Sequence, residues 1–265
     1  MKKNNNKPPL IDYFKQEERL VDINFQNFSL AQLDKNEKNA LMYAIRNNDE
    51  LGLFLKDEQW TYLIENSNLK HQDIYHQDAL MYALKFYECE ELNFSPKQWS
   101  FLINNSDLLN VDDFGGNALI YAMDNISDAH KAGLNNDHWD RLIKKSYLFE
   151  HFDGWYPIMY CLANHHLLNK EQLGFVINNT FLELQKHSNI LTKLIEFFKH
   201  DRYDVFQIFW SSLNNKQMFI DFIKENKEKY EFLLQSTEVQ SFEEKVILDK
   251  KIYNNLSLSG VTNKI

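Results

Sequence analysis

The chain has 265 residues, 44% of them hydrophobic and 14% aromatic, which supplies a substantial core and excludes a disordered polymer. Seven Gly and four Pro favour long helices over tight β-turns, and no uninterrupted apolar run approaches the ~18 residues of a membrane-spanning helix. The net charge of −9 works against nucleic acid and anionic membrane as partners.

Residues 1–9 begin basic but lead into Asp12 and Lys15 instead of an apolar segment, so no signal peptide is expected and the protein reads as cytoplasmic. Cys89 and Cys161 stand at non-equivalent places and read as reduced thiols. Ile11 to Leu20 predicts a helix. Val21, Phe25 and Leu30 lie one period before Trp60, Ile64 and Leu69, which predicts a lone helix over 21–33 and makes residues 1–38 an N-terminal cap.

From residue 39 a phrase recurs every 39 residues: Asn39-Ala-Leu-Met-Tyr-Ala44, Asp78-Ala-Leu-Met-Tyr-Ala83, Asn117-Ala-Leu-Ile-Tyr-Ala122 and Tyr156-Pro-Ile-Met-Tyr-Cys161. Its dense apolar run predicts an inner helix, helix A, covered on two sides. A second signal follows each copy: Trp60-Leu63-Ile64, Trp99-Leu102-Ile103, Trp139-Leu142-Ile143 and the degenerate Leu173-Val176-Ile177. The i, i+3, i+4 spacing gives one apolar stripe on a helix B. Asp57 and Ser95 are expected at its N-cap, with Pro96 at the first helical position, and Asn66 and Asn105 as left-handed C-caps. Units of this kind bury their apolar faces by stacking, so the expected architecture is all-α: an α-solenoid of about four helix pairs over residues 39–182.

A polar turn precedes each helix A, clearest in Asp112-Asp113-Phe114-Gly115-Gly116-Asn117 and Asp153-Gly154-Trp155-Tyr156-Pro157. With the phrase that follows, it resembles the ankyrin repeat, whose motif places Asp, then Gly, then Thr-Pro-Leu-His-x-Ala at the start of its first helix. Here Asn39, Asp78 and Asn117 stand in the Thr position and Pro157 keeps the Pro. Met42, Met81, Ile120 and Met159 replace the His, so its bonds to the turn must be supplied otherwise. Glu37 and His76 replace Gly, and the period exceeds the family's, about 33, with the surplus between helices A and B. The resemblance covers residues 34–182 and implies a protein that holds other proteins.

Residues 183–253 read as a C-terminal helical cap, with Phe206, Phe209, Trp210, Phe219, Phe222, Tyr230, Phe232 and Leu233 supplying apolar faces, and 254–265 as a frayed tail. Catalytic signatures are not found, and no cofactor or metal is expected. Adjacent His165 and His166 diverge on a helix. Cys161 and His165 are one turn apart and offer a thiol–base pair, but Cys161 fills an Ala position and reads as core. Asp112-Asp113 reads as turn chemistry, and the Tyr and Trp ladders as packing between repeats, with each Tyr hydroxyl reaching a turn carbonyl or water.

Residues 39–155 carry a charge of −10. Positions that the period leaves unexplained form an acidic strip with an exposed Trp, the candidate docking surface for a basic protein: Glu88, Glu90, Glu91, Asp124 and Asp128 between helices A and B, and Asp73, His76, Asp112, Asp113, Asp153 and Trp155 on the turns. The expected function is therefore a non-enzymatic interaction module, an immunity-type protein that neutralises a cognate basic bacterial toxin. A secreted effector engaging host proteins is the competing reading, and a cysteine-dependent enzyme the third.

Overall fold

The computed structural model describes residues 7–15, 24–48, 55–85, 92, 94–124, 133–149, 151–152, 154–184, 188–199 and 203–258. Glu88, Cys89, Glu90, Glu91, Asp128 and Asp153 lie outside them, as do residues 16–23 of the two helices expected over 11–33. The described residues are all-helical, with two isolated bridges, Pro9 to Ser29 and Phe152 to Trp155, and no strand. No helix among them is long and apolar enough to cross a membrane. The chain divides into two compact units, Met1–Thr180 and Phe181–Ile265.

The first unit opens with α1 (Leu10–Phe14) and a 3-10 turn, Phe25–Asn27. The expected lone helix over 21–33 is not formed in its described part. Ser29 donates to Pro8 O at 2.9 Å and accepts from Leu10 N at 3.1 Å, which takes the backbone groups a helix would need.

The A helices are α2 (Ala40–Asn47), α4 (Ala79–Lys85), α6 (Ala118–Asp124) and α8 (Pro157–Ala163). The B helices are α3 (Asp57–Asn66), α5 (Pro96–Asn105), α7 (Asn136–Lys145) and α9 (Lys170–Leu184), the last running across the boundary between the units. Each A helix packs on the next, α2 on α4, α4 on α6 and α6 on α8, while α3 packs on α5 and α5 on α7. Two facing layers result. In the A layer Ala40, Leu41, Met42 and Ala44 have no exposed surface, and Ala79, Leu80 and Met81 repeat this one unit later. In the B layer Trp60, Leu63 and Ile64, with their counterparts in α5 and α7, are buried, while Glu65, Lys97 and Lys144 face out. Each large apolar side chain buried this way contributes about 1.5–3 kcal/mol.

Two expected caps differ. Lys56, not Asp57, is the N-cap of α3, because Gln59 Oε1 at the third helical position accepts from Lys56 N at 2.8 Å. Asn66 and Asn105 stay right-handed inside their helices and donate back to Tyr62 O and Phe101 O at 2.8 and 2.7 Å. Ser67 and Ser106 end the helices in extended backbone. Ser95 and Pro96 stand where expected.

The second unit contains α10 (Ser188–Lys199), α11 (Tyr203–Ser212), α12 (Lys216–Glu225), α13 (Lys227–Leu234) and α14 (Thr237–Leu258). Its core is aromatic: Phe209 lies 5.2 Å from Phe198 and 5.3 Å from Phe219, ring centre to ring centre, with Phe206 and Trp210 beside them. Phe232, expected on an apolar face, is exposed, and the helical backbone runs on to Leu258 instead of fraying at 254.

Candidate protein-binding surface

One aspartate builds each of the first three turns before a helix A, and His151 stands at that place in the fourth. Asp34 Oδ1 accepts from Asn36 N and Lys38 N at 2.8 and 2.9 Å; Asp73 Oδ1 accepts from Tyr75 N and Gln77 N, both at 2.9 Å; Asp112 Oδ1 accepts from Phe114 N and Gly116 N at 3.0 and 2.8 Å. The fourth position of the turn is left-handed in every repeat: Glu37 at φ 61°, His76 at 60°, Gly115 at 83° and Gly154 at 80°. Glu37 and His76 thus adopt the conformation for which the ankyrin motif uses Gly.

The second oxygen of each buried aspartate serves the following helix. Tyr82 Oη donates to Asp73 Oδ2 at 2.7 Å and Tyr121 Oη to Asp112 Oδ2 at 2.5 Å. These two hydroxyls reach turn carboxylates rather than carbonyls, whereas Tyr160 reaches the Phe152 carbonyl at 3.4 Å. Burial and the carboxylate bond raise the pKa of both buried phenols, so they stay protonated donors. Gln77 Nε2 also donates to Asp112 Oδ2 at 2.6 Å, joining one turn to the next, and Lys38 at the equivalent place lies over the Tyr82 ring at 5.9 Å. Gly116 follows in that series because Tyr121 lies across it: a Cβ there would fall 2.6 Å from the ring.

The turns are stitched together along the array. Ile74 N donates to Asn36 O at 3.2 Å and Asp113 N to Tyr75 O at 3.1 Å. His76 Nδ1 lies 2.6 Å from Asp113 Oδ1, and that hydrogen bond raises the imidazole pKa. The tips so fixed present apolar side chains to solvent: Ile74 at 43% exposure, Tyr75 at 42% and Phe114 at 53%. The Tyr75 and Phe114 rings are 5.9 Å apart, with Lys85 Nζ 5.4 Å above Phe114.

Of the residues expected to dock a partner, His76 and Asp113 are on this surface as a pair. Asp73 and Asp112 are buried and committed to their turns. Asp124 is exposed at the end of α6. Trp155 is half-buried rather than exposed, packed 5.3 Å from the Tyr160 ring. Sequence reasoning missed Ile74, Tyr75 and Phe114. Their signal was an apolar residue in the middle of a turn, where polar residues are the rule.

Cys161 has no exposed surface, and burial pushes its thiol up to about 12. His165 Nδ1 donates to Leu162 O at 3.0 Å. Among the described residues no cluster of His, Cys, Asp and Glu is arranged to hold a metal ion.

The B layer has its own cross-links, one residue before each Trp or its Leu173 counterpart. Gln98 Oε1 caps Ser95 N at 2.7 Å while Nε2 donates to Asp57 Oδ1 and Thr61 Oγ of the preceding helix at 3.0 and 2.9 Å. Gln172 does the same between Asn169 N and Asp140 Oδ1. At the third such place His138 Nδ1 accepts from Asn135 N at 3.1 Å, which puts the ring hydrogen on Nε2, 2.8 Å from Ser100 Oγ. Burial lowers its pKa.

No family model matches the chain, and no curated protein and no solved structure is matched by it.

Proposed function

We propose that residues 34–182 form an ankyrin-like solenoid and act as a protein-binding module, of the immunity type, that captures and neutralises a cognate basic toxin. The observation that carries the reading is the exposed strip of Ile74, Tyr75 and Phe114 on turns whose backbone is held by buried aspartates. A rigid apolar strip left in water marks an interaction surface, and aromatic side chains on a fixed backbone bind at low entropic cost. The charge of −10 over residues 39–155 supports a basic partner by speeding encounter. The buried, protonated Cys161 speaks for core packing over nucleophilic chemistry.

The test is co-expression with the product of the neighbouring gene, followed by measurement of binding and of protection from its toxicity. Tyr75→Glu with Phe114→Glu is expected to weaken the complex at least about 100-fold while leaving thermal unfolding unchanged. An unchanged affinity places the surface elsewhere. A neighbour that neither binds nor harms the cell defeats the immunity reading.

A further inference from the structure

Residues 39, 78 and 117 occupy the same place at the start of α2, α4 and α6, and in two of the three the side chain does two things at once. Asn39 Oδ1 accepts from Met42 N at 3.0 Å while Nδ2 donates to Asn68 O at 3.1 Å, and Asn117 Oδ1 accepts from Ile120 N at 2.9 Å while Nδ2 donates to Tyr147 O at 2.6 Å. The amide nitrogen thereby clasps the loop that follows the same repeat's helix B. In the second repeat the residue is Asp78, 1% exposed, with Oδ1 accepting from Met81 N at 2.9 Å. One period after Asn68 stands Asp107. By the register of the repeats, the second oxygen of Asp78 corresponds to the asparagine nitrogen of 39 and 117 and the Asp107 carbonyl to its acceptor, while the Asn110 side chain bonds the same carboxyl. An ionised carboxylate has only lone pairs to offer a carbonyl, whereas the acid form has one O–H to donate.

We propose that Asp78 is a carboxylic acid in the folded protein and donates its proton to the Asp107 carbonyl, so that the second repeat is clasped by a proton where its neighbours are clasped by an amide. The surroundings agree. Burial pushes this carboxyl up to about 7 in spite of the Met81 and Leu80 N–H groups and Asn110, which favour the charged form. The charged groups on the packed elements are Arg46 on α2, Lys97 on α5, Asp124 on α6, Asp73 and His76 on the preceding turn, and Asp107 on the following loop. The strongest charge acting on Asp78 is that of Asp107, and it opposes ionisation. The clasp also bears on the tips, because the loop it holds contains Asn110, whose Nδ2 donates to His76 O at 2.9 Å. The proposal does not depend on what the tips bind.

Below a pH of about 4 both folded and unfolded chains hold this proton, and from there up to about 7 only the folded chain does. Stability therefore falls as pH rises through this window and levels off above it. The experiment is urea unfolding of the full chain and of Asp78→Asn between about pH 5 and 8, with the Asp78 carboxyl carbon followed by NMR in the unsubstituted protein. The ratio of unfolding constants, unsubstituted over Asp78→Asn, is expected to rise up to about tenfold per pH unit and then plateau. Asn117→Asp should install a second dependence of the same sign. A ratio that stays flat, or a carboxyl carbon that titrates at the ordinary value of about 4, overturns the proposal. So does an Asp78→Asn chain that fails to fold, since the amide already fills this place at 39 and 117.

Discussion

Glu37 and Gly115 stand at the same point of two equivalent turns, both left-handed, yet they should respond oppositely to substitution. Glu37 adopts φ 61° at a steric cost of about 1–2 kcal/mol, part of which Gly would remove while adding about 0.5–1 kcal/mol of chain entropy. Its carbonyl, which accepts from His71 Nε2, would survive the change. Glu37→Gly is expected to stabilise by about 0.5 kcal/mol, read as a small rise in Tm. At Gly115 a Cβ would lie 2.0 Å from the His151 carbonyl oxygen, backbone that cannot step aside cheaply. Gly115→Ala should cost more than about 3 kcal/mol, and an unchanged Tm would show that the third and fourth turns do not approach as closely as described. The left-handed position was legible in the sequence from Gly115 and Gly154, which stand at the same point of two turns. That Glu and His tolerate it follows from the aspartate at the head of the turn, whose two backbone bonds over-determine the local path.

At the scale of the helices, the four amphipathic pairs were readable because their apolar spacing repeats. Their cross-links were not read, although Gln59, Gln98, His138 and Gln172 recur at one offset. A polar residue on a buried helix face has no partner in one dimension; only stacking shows that its amide spans two helices. The cap errors share this origin. Gln59 takes over the N-cap amide, so Asp57 is free to serve as an acceptor for Gln98, and Ser29 is withdrawn from any helix by pairing with the Pro8–Leu10 segment. His138 makes the ladder sensitive to acid. Its folded pKa is lowered, so its contribution is present above the unfolded value of about 6.5 and is lost as pH falls below it. Protonation would place a hydrogen on Nδ1 facing Asn135 N–H, forfeiting a bond worth about 1 kcal/mol or more. Substituting His138→Gln, the residue used at the other three places, should remove this term, so that the stability of the unsubstituted chain relative to His138→Gln falls on acidification from about pH 7 to 5. The same slope in both proteins would show that the imidazole is not the acid-sensitive group.

For the whole molecule, the all-helical class was legible, whereas which side chains the turns expose was legible only in part. Charge could be counted along the chain, but which acids face solvent depends on the turn: Asp73 and Asp112 are consumed inside it, and Asp113 is presented. If the −10 of residues 39–155 steers a basic partner, the association rate should fall by at least about tenfold between 0.05 and 0.5 M salt, measured by stopped flow against the captured protein. A rate indifferent to salt would leave the acidic repeats as a solubility feature and the apolar tips as the whole of the recognition. The stitching of turn to turn also bears on how such a gene can change. Ile74 N to Asn36 O and Asp113 N to Tyr75 O are the same bond one unit apart, and both join backbone to backbone whatever the side chains are. A tandem in-frame duplication of residues 39–77 would regenerate that bond, the aspartate hub and the glutamine cross-link at the new junction. Each such event would lengthen the array by one Ile-Tyr tip, so recombination could enlarge the footprint on a partner without a single point substitution.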